Sequence, residues 1–134
     1  MNRRPQTTAG TLVSALVAAS LLTAAPAFAG GHDDDEVIRE GSCSGSTDWK
    51  VKAKTDDGRL EFEGEIDSNR NGQAWNYTIR HNGVVLSRGT RTTRAPSGSF
   101  SVERRAANTA GPDSFVGTST NVRTGQTCRG TVTI

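Results

Sequence analysis

With 134 residues, 22% of them charged and 33% hydrophobic, the chain has material for one domain with one modest core. Its formal net charge of +2 resides in Arg3 and Arg4; beyond them, 14 basic side chains face 14 acidic ones. That balance removes the basic footprint with which a nucleic-acid-binding surface begins, so nucleic acid is not the expected partner.

In chain order, the first element is a leader. Met1 to Gly10 hold both arginines and no acid, Thr11 to Ala25 form an apolar run, and Ala27-Phe28-Ala29 has the small-x-small pattern that signal peptidase accepts. The run is too short for a membrane span and nothing after it stops transfer, so residues 1–29 read as a signal peptide. No cysteine follows the run and no hydrophobic tail precedes Ile134, so no anchor or transmembrane segment is expected in the mature chain. The predicted product is secreted, or loosely held at the cell surface. Cleavage after Ala29 exposes Gly30-Gly31-His32 as the new terminus. Its amine, two backbone amides and the third-position imidazole set four nitrogens in one plane, which suits Cu(II) or Ni(II). No other cofactor is expected.

Residues 30–42 include His32-Asp33-Asp34-Asp35-Glu36 and few apolar side chains. They read as a mobile, solvated acidic arm, with the folded domain over residues 43–134. Cys43 and Cys128 are the only cysteines. In an oxidising compartment a disulfide is the default, and one closing so long a loop is worth roughly 4 to 5 kcal/mol.

Period two begins at Trp49. Trp49, Val51 and Ala53 alternate with Lys50, Lys52 and Lys54; after Asp57-Gly58, Leu60, Phe62, Gly64 and Ile66 alternate with Glu61, Glu63 and Glu65. Alternation predicts half-buried antiparallel strands, and Asp-Gly predicts a two-residue type I′ turn. The resulting register sets Asp56 opposite Arg59, Lys54 opposite Glu61, Lys52 opposite Glu63 and Lys50 opposite Glu65. Ala53 then meets Phe62 and Trp49 meets Ile66 on the inner face. Every outward pair has opposite signs, and a slip of one residue would bury the lysines.

Ser68 to Gly72 form a polar link to a second hairpin, with Trp75, Tyr77 and Ile79 on one face and Asn82-Gly83 as its type I′ turn. Val84 and Leu86 return on that face, with Ile79 expected opposite Leu86 and Tyr77 opposite Arg88. A lone strand follows over Ser99 to Arg104, with Phe100 and Val102 inward, then a longer loop from Ala106 to Asp113. The third hairpin joins Phe115–Val122 to Thr127–Ile134. A tight Thr124-Gly125 turn there places Phe115 by Ile134, Gly117 by Val132, Ser119 by Gly130 and Asn121 by Cys128. Small residues facing one another leave room for aromatic side chains of an opposing sheet.

Seven short strands and no helix predict an all-β domain, a seven-stranded antiparallel sandwich of immunoglobulin or fibronectin kind. The first hairpin and the Phe100 strand make one sheet, the other hairpins the second, and the Cys43–Cys128 bridge joins two edges. A closed antiparallel barrel is the alternative.

With its Ala-rich leader and single wide-spaced cysteine pair, the precursor resembles the small secreted proteins of high-GC Gram-positive (actinobacterial) type. That resemblance implies export and brings no residue-level role.

Catalytic patterns are absent. Glu61, Glu63 and Glu65 each face a lysine, and His81 beside a turn reads as a surface residue. No Gly-x-Ser-x-Gly, phosphate-loop or zinc spacing occurs. The local excess of positive charge is Arg88, Arg91, Arg94, Arg104 and Arg105, a candidate anion-binding rim for an anionic cell-wall polymer. The expected function is a non-catalytic domain that binds an envelope or extracellular ligand or serves structurally at the surface. Inhibition of a secreted enzyme, through Ser68–Gly72 or Ala106–Asp113, is the second reading, and metal chelation at the processed terminus the third.

Overall fold

A computed structural model describes residues 35–134. The signal-peptide reading of residues 1–29 and the copper or nickel reading of Gly30-Gly31-His32 fall outside the described residues. Eight strands follow one another: β1 (Glu36–Ser42), β2 (Asp48–Asp56), β3 (Arg59–Asp67), β4 (Ala74–His81), β5 (Val84–Thr92), β6 (Ser99–Ala107), β7 (Ser114–Asn121) and β8 (Thr127–Thr133). They form two four-stranded antiparallel sheets, ordered β1-β2-β3-β6 and β5-β4-β7-β8; the three hairpins and the Phe100 strand divide between sheets as predicted, but the count is eight strands, not seven. Each sheet keeps two free edges, so the barrel alternative falls and the architecture is a sandwich. No described helix is long and apolar enough to cross a membrane.

The acidic stretch corrects the sequence reading. From Glu36 to Ser42 it is an eighth strand rather than part of a solvated arm, paired with β2 from Glu36↔Lys54 to Ser42↔Asp48. Most of its side chains are exposed, with only Val37 and Gly41 partly covered. Backbone pairing holds most of it, with Val37 its one apolar side chain packed against the core, so no apolar pattern is required, and its charges discourage further strands from adding at that edge.

The first hairpin has the predicted register throughout, from Asp56↔Arg59 to Trp49↔Ile66. Asp57 and Gly58 both have positive φ, as a type I′ turn demands. The second hairpin has the predicted turn, with Asn82 and Gly83 at positive φ, but a bulge between Ile79 and Arg80 shifts the pairing by one. Ile79 therefore faces Ser87 and Tyr77 faces Gly89, instead of Leu86 and Arg88. Val84, beside the turn, is 71% exposed, and the bulge brings Ser87, Gly89 and Arg91 opposite the aromatic face of β4. In the third hairpin a five-residue loop, Val122–Gln126, replaces the tight turn. Asn121 Oδ1 accepts from the N–H groups of Arg123 (2.9 Å) and Thr124 (3.0 Å), and that wider loop moves the register by two. Phe115 meets Val132, Gly117 meets Gly130 and Ser119 meets Cys128. A shift of two preserves faces, so Phe115, Ser119, Cys128 and Val132 remain inward.

Val51, Ala53, Leu60, Phe62, Tyr77, Ile79, Val102, Ala106, Phe115 and Val132 fill the space between the sheets. Phe62 and Phe115 stack across it at 5.2 Å. The facing glycines do what their size suggests: a Cβ on Gly130 would lie 2.7 Å from the Trp49 ring, and one on Gly117 3.5 Å from Phe62. The Cys43–Cys128 disulfide connects the segment after β1 to β8, beside a second cluster of Ile66 and Trp75.

Candidate functional site

The first sheet matches its charges on its own surface. Lys52 lies 2.9 Å from Glu63, Lys54 3.2 Å from Glu61 and Lys50 3.7 Å from Glu65. Hydrogen bonding to Glu63 holds the Lys52 ammonium above its ordinary range, and Glu61 does the same for Lys54. Each of the three glutamates is thus half of an ion pair, including Glu63, which also stands opposite Glu103 of β6.

The second sheet has no such partners. Strands β4, β5, β7 and β8 carry Arg80, Arg88, Arg91 and Arg129 and not one Asp or Glu. Alternation puts three of these on the outer face. Arg88 is paired with Thr78, Thr78 with Thr118, and Thr118 with Arg129, so one row crossing all four strands begins and ends in an arginine. At strand spacings near 4.8 Å, the Cα atoms at its ends stand roughly 14 Å apart. Arg80 projects from the next row, where Val116 and Thr131 continue across the sheet. Arg80, Arg88 and Arg129 are exposed and form no ion pair among the described residues; Arg80 donates to Gly83 O at 3.2 Å. Thr78, Thr90, Thr118, Thr120, Thr127 and Thr131 set hydroxyls between them. The face therefore combines separated guanidinium forks with uncharged donors and acceptors, a surface suited to anionic, hydroxyl-rich chains.

The structure does not bring the five sequence-predicted arginines together. Arg88 stands on this outer face, and Arg94 is exposed in the β5–β6 connection. Arg91 lies with its guanidinium carbon 5.7 Å from the centre of the Tyr77 ring. Arg104 is half-buried where β5 approaches β6, donating to Ser87 Oγ (2.9 Å), Tyr77 OH (3.2 Å) and Glu103 O (2.6 Å). Arg105 is bound to Asp56 and sits 3.7 Å from Glu61. Arg104 and Arg105 diverge, as adjacent strand residues must.

His81 is not the surface residue that its position beside a turn suggests. Its ring stacks on Phe115 at 4.6 Å, and its Nε2 lies 2.6 Å from Asp113 Oδ1. Asp113, 2% exposed in its side chain, also accepts from Thr109 Oγ1 (2.7 Å), Thr109 N (3.1 Å) and Asn82 Nδ2 (3.0 Å). Burial alone would raise this carboxyl, and is the largest single effect on it. The bonds from Thr109, His81 and Asn82 together outweigh burial and hold it below its ordinary range. The arrangement ties the β6–β7 loop to the β4–β5 turn. No hydroxyl or thiol nucleophile bonds to His81 among the described residues, so the dyad has a clamping geometry.

Arg80 and Arg129 were missed by sequence reasoning that looked for adjacent charges. The available sign is segmental: from Ser68 to Ile134 there are nine arginines and only Glu103 and Asp113 as acids. The near balance of the whole chain, 16 basic against 14 acidic side chains, conceals that division. No protein-family model matches this chain, and comparison with curated proteins finds no match, so the positive face stands on its own geometry.

Proposed function

We propose that this chain is a non-catalytic domain that works outside the cytoplasm and binds an anionic polymer of the cell envelope or the extracellular medium. The outer face of β5-β4-β7-β8 is the binding surface. The observation that carries this reading is the segregation of charge: the first sheet holds all the strand acids and pairs each of its lysines with a glutamate, while the second presents Arg80, Arg88 and Arg129 with no acid on its strands. A flexible polyanion can span the Arg88–Arg129 row and engage several guanidinium groups at once, each weakly, giving salt-sensitive retention. The apolar, Arg-bearing leader and the disulfide both favour an exported protein. The immunoglobulin- or fibronectin-type comparison is carried here as far as the two-layer architecture and its use as a rigid carrier of binding surfaces.

The test is retention of the folded domain on immobilised polyphosphate and on a phosphodiester wall polymer over a salt series. Arg88→Glu with Arg129→Glu should weaken retention roughly tenfold or more at low salt, about 1.4 kcal/mol, and flatten the salt dependence. The control Arg105→Glu, which alters an arginine already bound to Asp56, should weaken it much less. Equal retention of the double variant and the parent would overturn the assignment of this face.

A further inference from the structure

At the disulfide end of the sandwich three connections meet: residues 43–47 before β2, 68–73 between β3 and β4, and 122–126 between β7 and β8. Two adjoining open concavities of about 420 and 620 Å³ lie among them, and Arg70, Gln73 and Thr124 line both. These volumes fall in the range of small-molecule sites. Arg123 lines the larger one, Ser46 and Gln126 the smaller, and no acidic side chain lines either. Arg70 and Arg123 are exposed and make no ion pair among the described residues.

The walls are fixed before any ligand arrives. Thr47 Oγ1 donates to Gln126 Oε1 (2.6 Å), and Ser44 N donates to Thr127 O (2.9 Å), next to the disulfide. Buried Thr93 supports the middle connection: its Oγ1 donates to Arg70 O (2.5 Å) and accepts from Gln73 N (3.0 Å). Gly98 completes that support. Its carbonyl accepts from Ser68 N and Ser68 Oγ, and at φ +71 it lies so close to Arg70 that a Cβ would stand 2.2 Å from the Arg70 nitrogen. Amid this bonding, Gln73 Oε1 is buried and accepts no hydrogen bond. A buried acceptor left unmatched is costly, and such groups concentrate where a missing partner belongs.

We infer that this cleft is a second binding site, for a saccharide unit bearing a carboxylate or phosphate. Arg70 and Arg123 receive the anion, Gln73 receives a sugar hydroxyl, and Ser46 and Thr124 bond the remaining hydroxyls. The proposal rests on the reading of the chain as a binder of anionic polymers, and deepens it by naming the unit recognised: the sheet face holds a length of polymer by charge, and the cleft selects its chemistry.

The experiment is an amide-shift titration of the labelled domain with digalacturonate, with glucose phosphate, and with neutral cellobiose. Saturable shifts confined to residues 68–73 and 122–126 with one or both anionic sugars, and absent with cellobiose, are expected. The arm that responds identifies the anion. Arg70→Ala with Arg123→Ala should weaken binding at least tenfold with an unchanged melt, and Arg70→Lys with Arg123→Lys should restore part of it. No loop shifts with either anionic sugar, equal shifts with cellobiose, or undiminished binding by the Ala pair would overturn the site. Applying the same titration to Arg88→Glu/Arg129→Glu separates the two assignments. Persisting loop shifts beside lost polymer retention in that variant place two sites on the molecule, whereas retention by the parent, lost in that variant, beside loop shifts absent from both removes the cleft alone.

Discussion

The two sheets solve the problem of surface charge in opposite ways. On β2 and β3, Lys50, Lys52 and Lys54 face Glu65, Glu63 and Glu61 in register, and the third pair is covered until Glu61 is only 8% exposed. On β4, β5, β7 and β8 there is no acid at all, and three arginines on the outer face are separated by threonines. Both sheets are four-stranded and antiparallel, so charge pairing is not a requirement of this fold. Pairing on the first sheet specifies a strand register, whereas unpaired charge on the second leaves groups free for something outside the molecule. Equal numbers of acids and bases beyond Arg4 describe neither surface.

Because the sheets differ so much, what joins them is the first place to break the comparison. The Cys43–Cys128 bridge closes a separation of 85 residues and ties the β1 side to β8. Replacing both cysteines by Ala should cost about 4 kcal/mol and lower Tm by more than about 15 °C in a domain of this size. An unchanged melt would mean that packing of Trp49 over Gly130, with the rest of the core, suffices to hold the sheets together.

A second tie acts where the chain passes from β6 in the first sheet to β7 in the second. Asp113 holds His81, Asn82 and Thr109 together there. Its carboxyl lies below the ordinary carboxylate range, so the stabilisation is fully present above the unfolded value and is lost as pH falls through the lowered native one. Asp113→Asn should cost about 2 kcal/mol at neutral pH, and less as acid removes the parent's advantage. Urea melts of parent and variant at descending pH check this; a difference that stays constant into strong acid would place the tie in packing rather than in charge.

How far these features can be read from the sequence depends on how local their causes are. The first hairpin is legible in full because a two-residue turn fixes the register and four charge pairs then check it. The second fails by one residue because Val84-Val85-Leu86 offers apolar side chains on both parities, and nothing local marks the bulge at Arg80. The third fails by two because Asn121 caps a wider loop than Thr124-Gly125 suggests, yet the faces survive. β1 escapes notice because its partner supplies backbone bonds rather than a hydrophobic face. His81 and Asp113 stand 32 residues apart, so only the folded chain reveals their contact. The Arg88–Arg129 row is half legible: the residues and their parity are visible, but their alignment requires two registers that the sequence reading misses.

The smallest expected effect sharpens the comparison most directly, since it measures what each sheet's charge does for folding. A double-mutant cycle with Lys52→Ala and Glu63→Ala should return a coupling of roughly 0.2 to 1 kcal/mol at low salt, falling as salt is added, because the pair is only part-covered. The 2.9 Å contact and its central position on the hairpin favour the upper part of that range. Arg129→Ala, on the other sheet, removes an exposed guanidinium with no acid partner among the described residues, so stability should change by no more than about 0.5 kcal/mol. Its salt response should also run the other way. Salt already screens Arg129 from Arg80 and Arg88, so deleting it should stabilise slightly at low salt and hardly at all at high salt. Denaturant melts of all five proteins at two salt concentrations decide the matter. Opposite salt signatures would establish that the first sheet's charges support the fold while the second sheet's charges are tolerated by it. Matching signatures would mean that Arg129 has an internal partner, and would weaken the case that the face is free to bind.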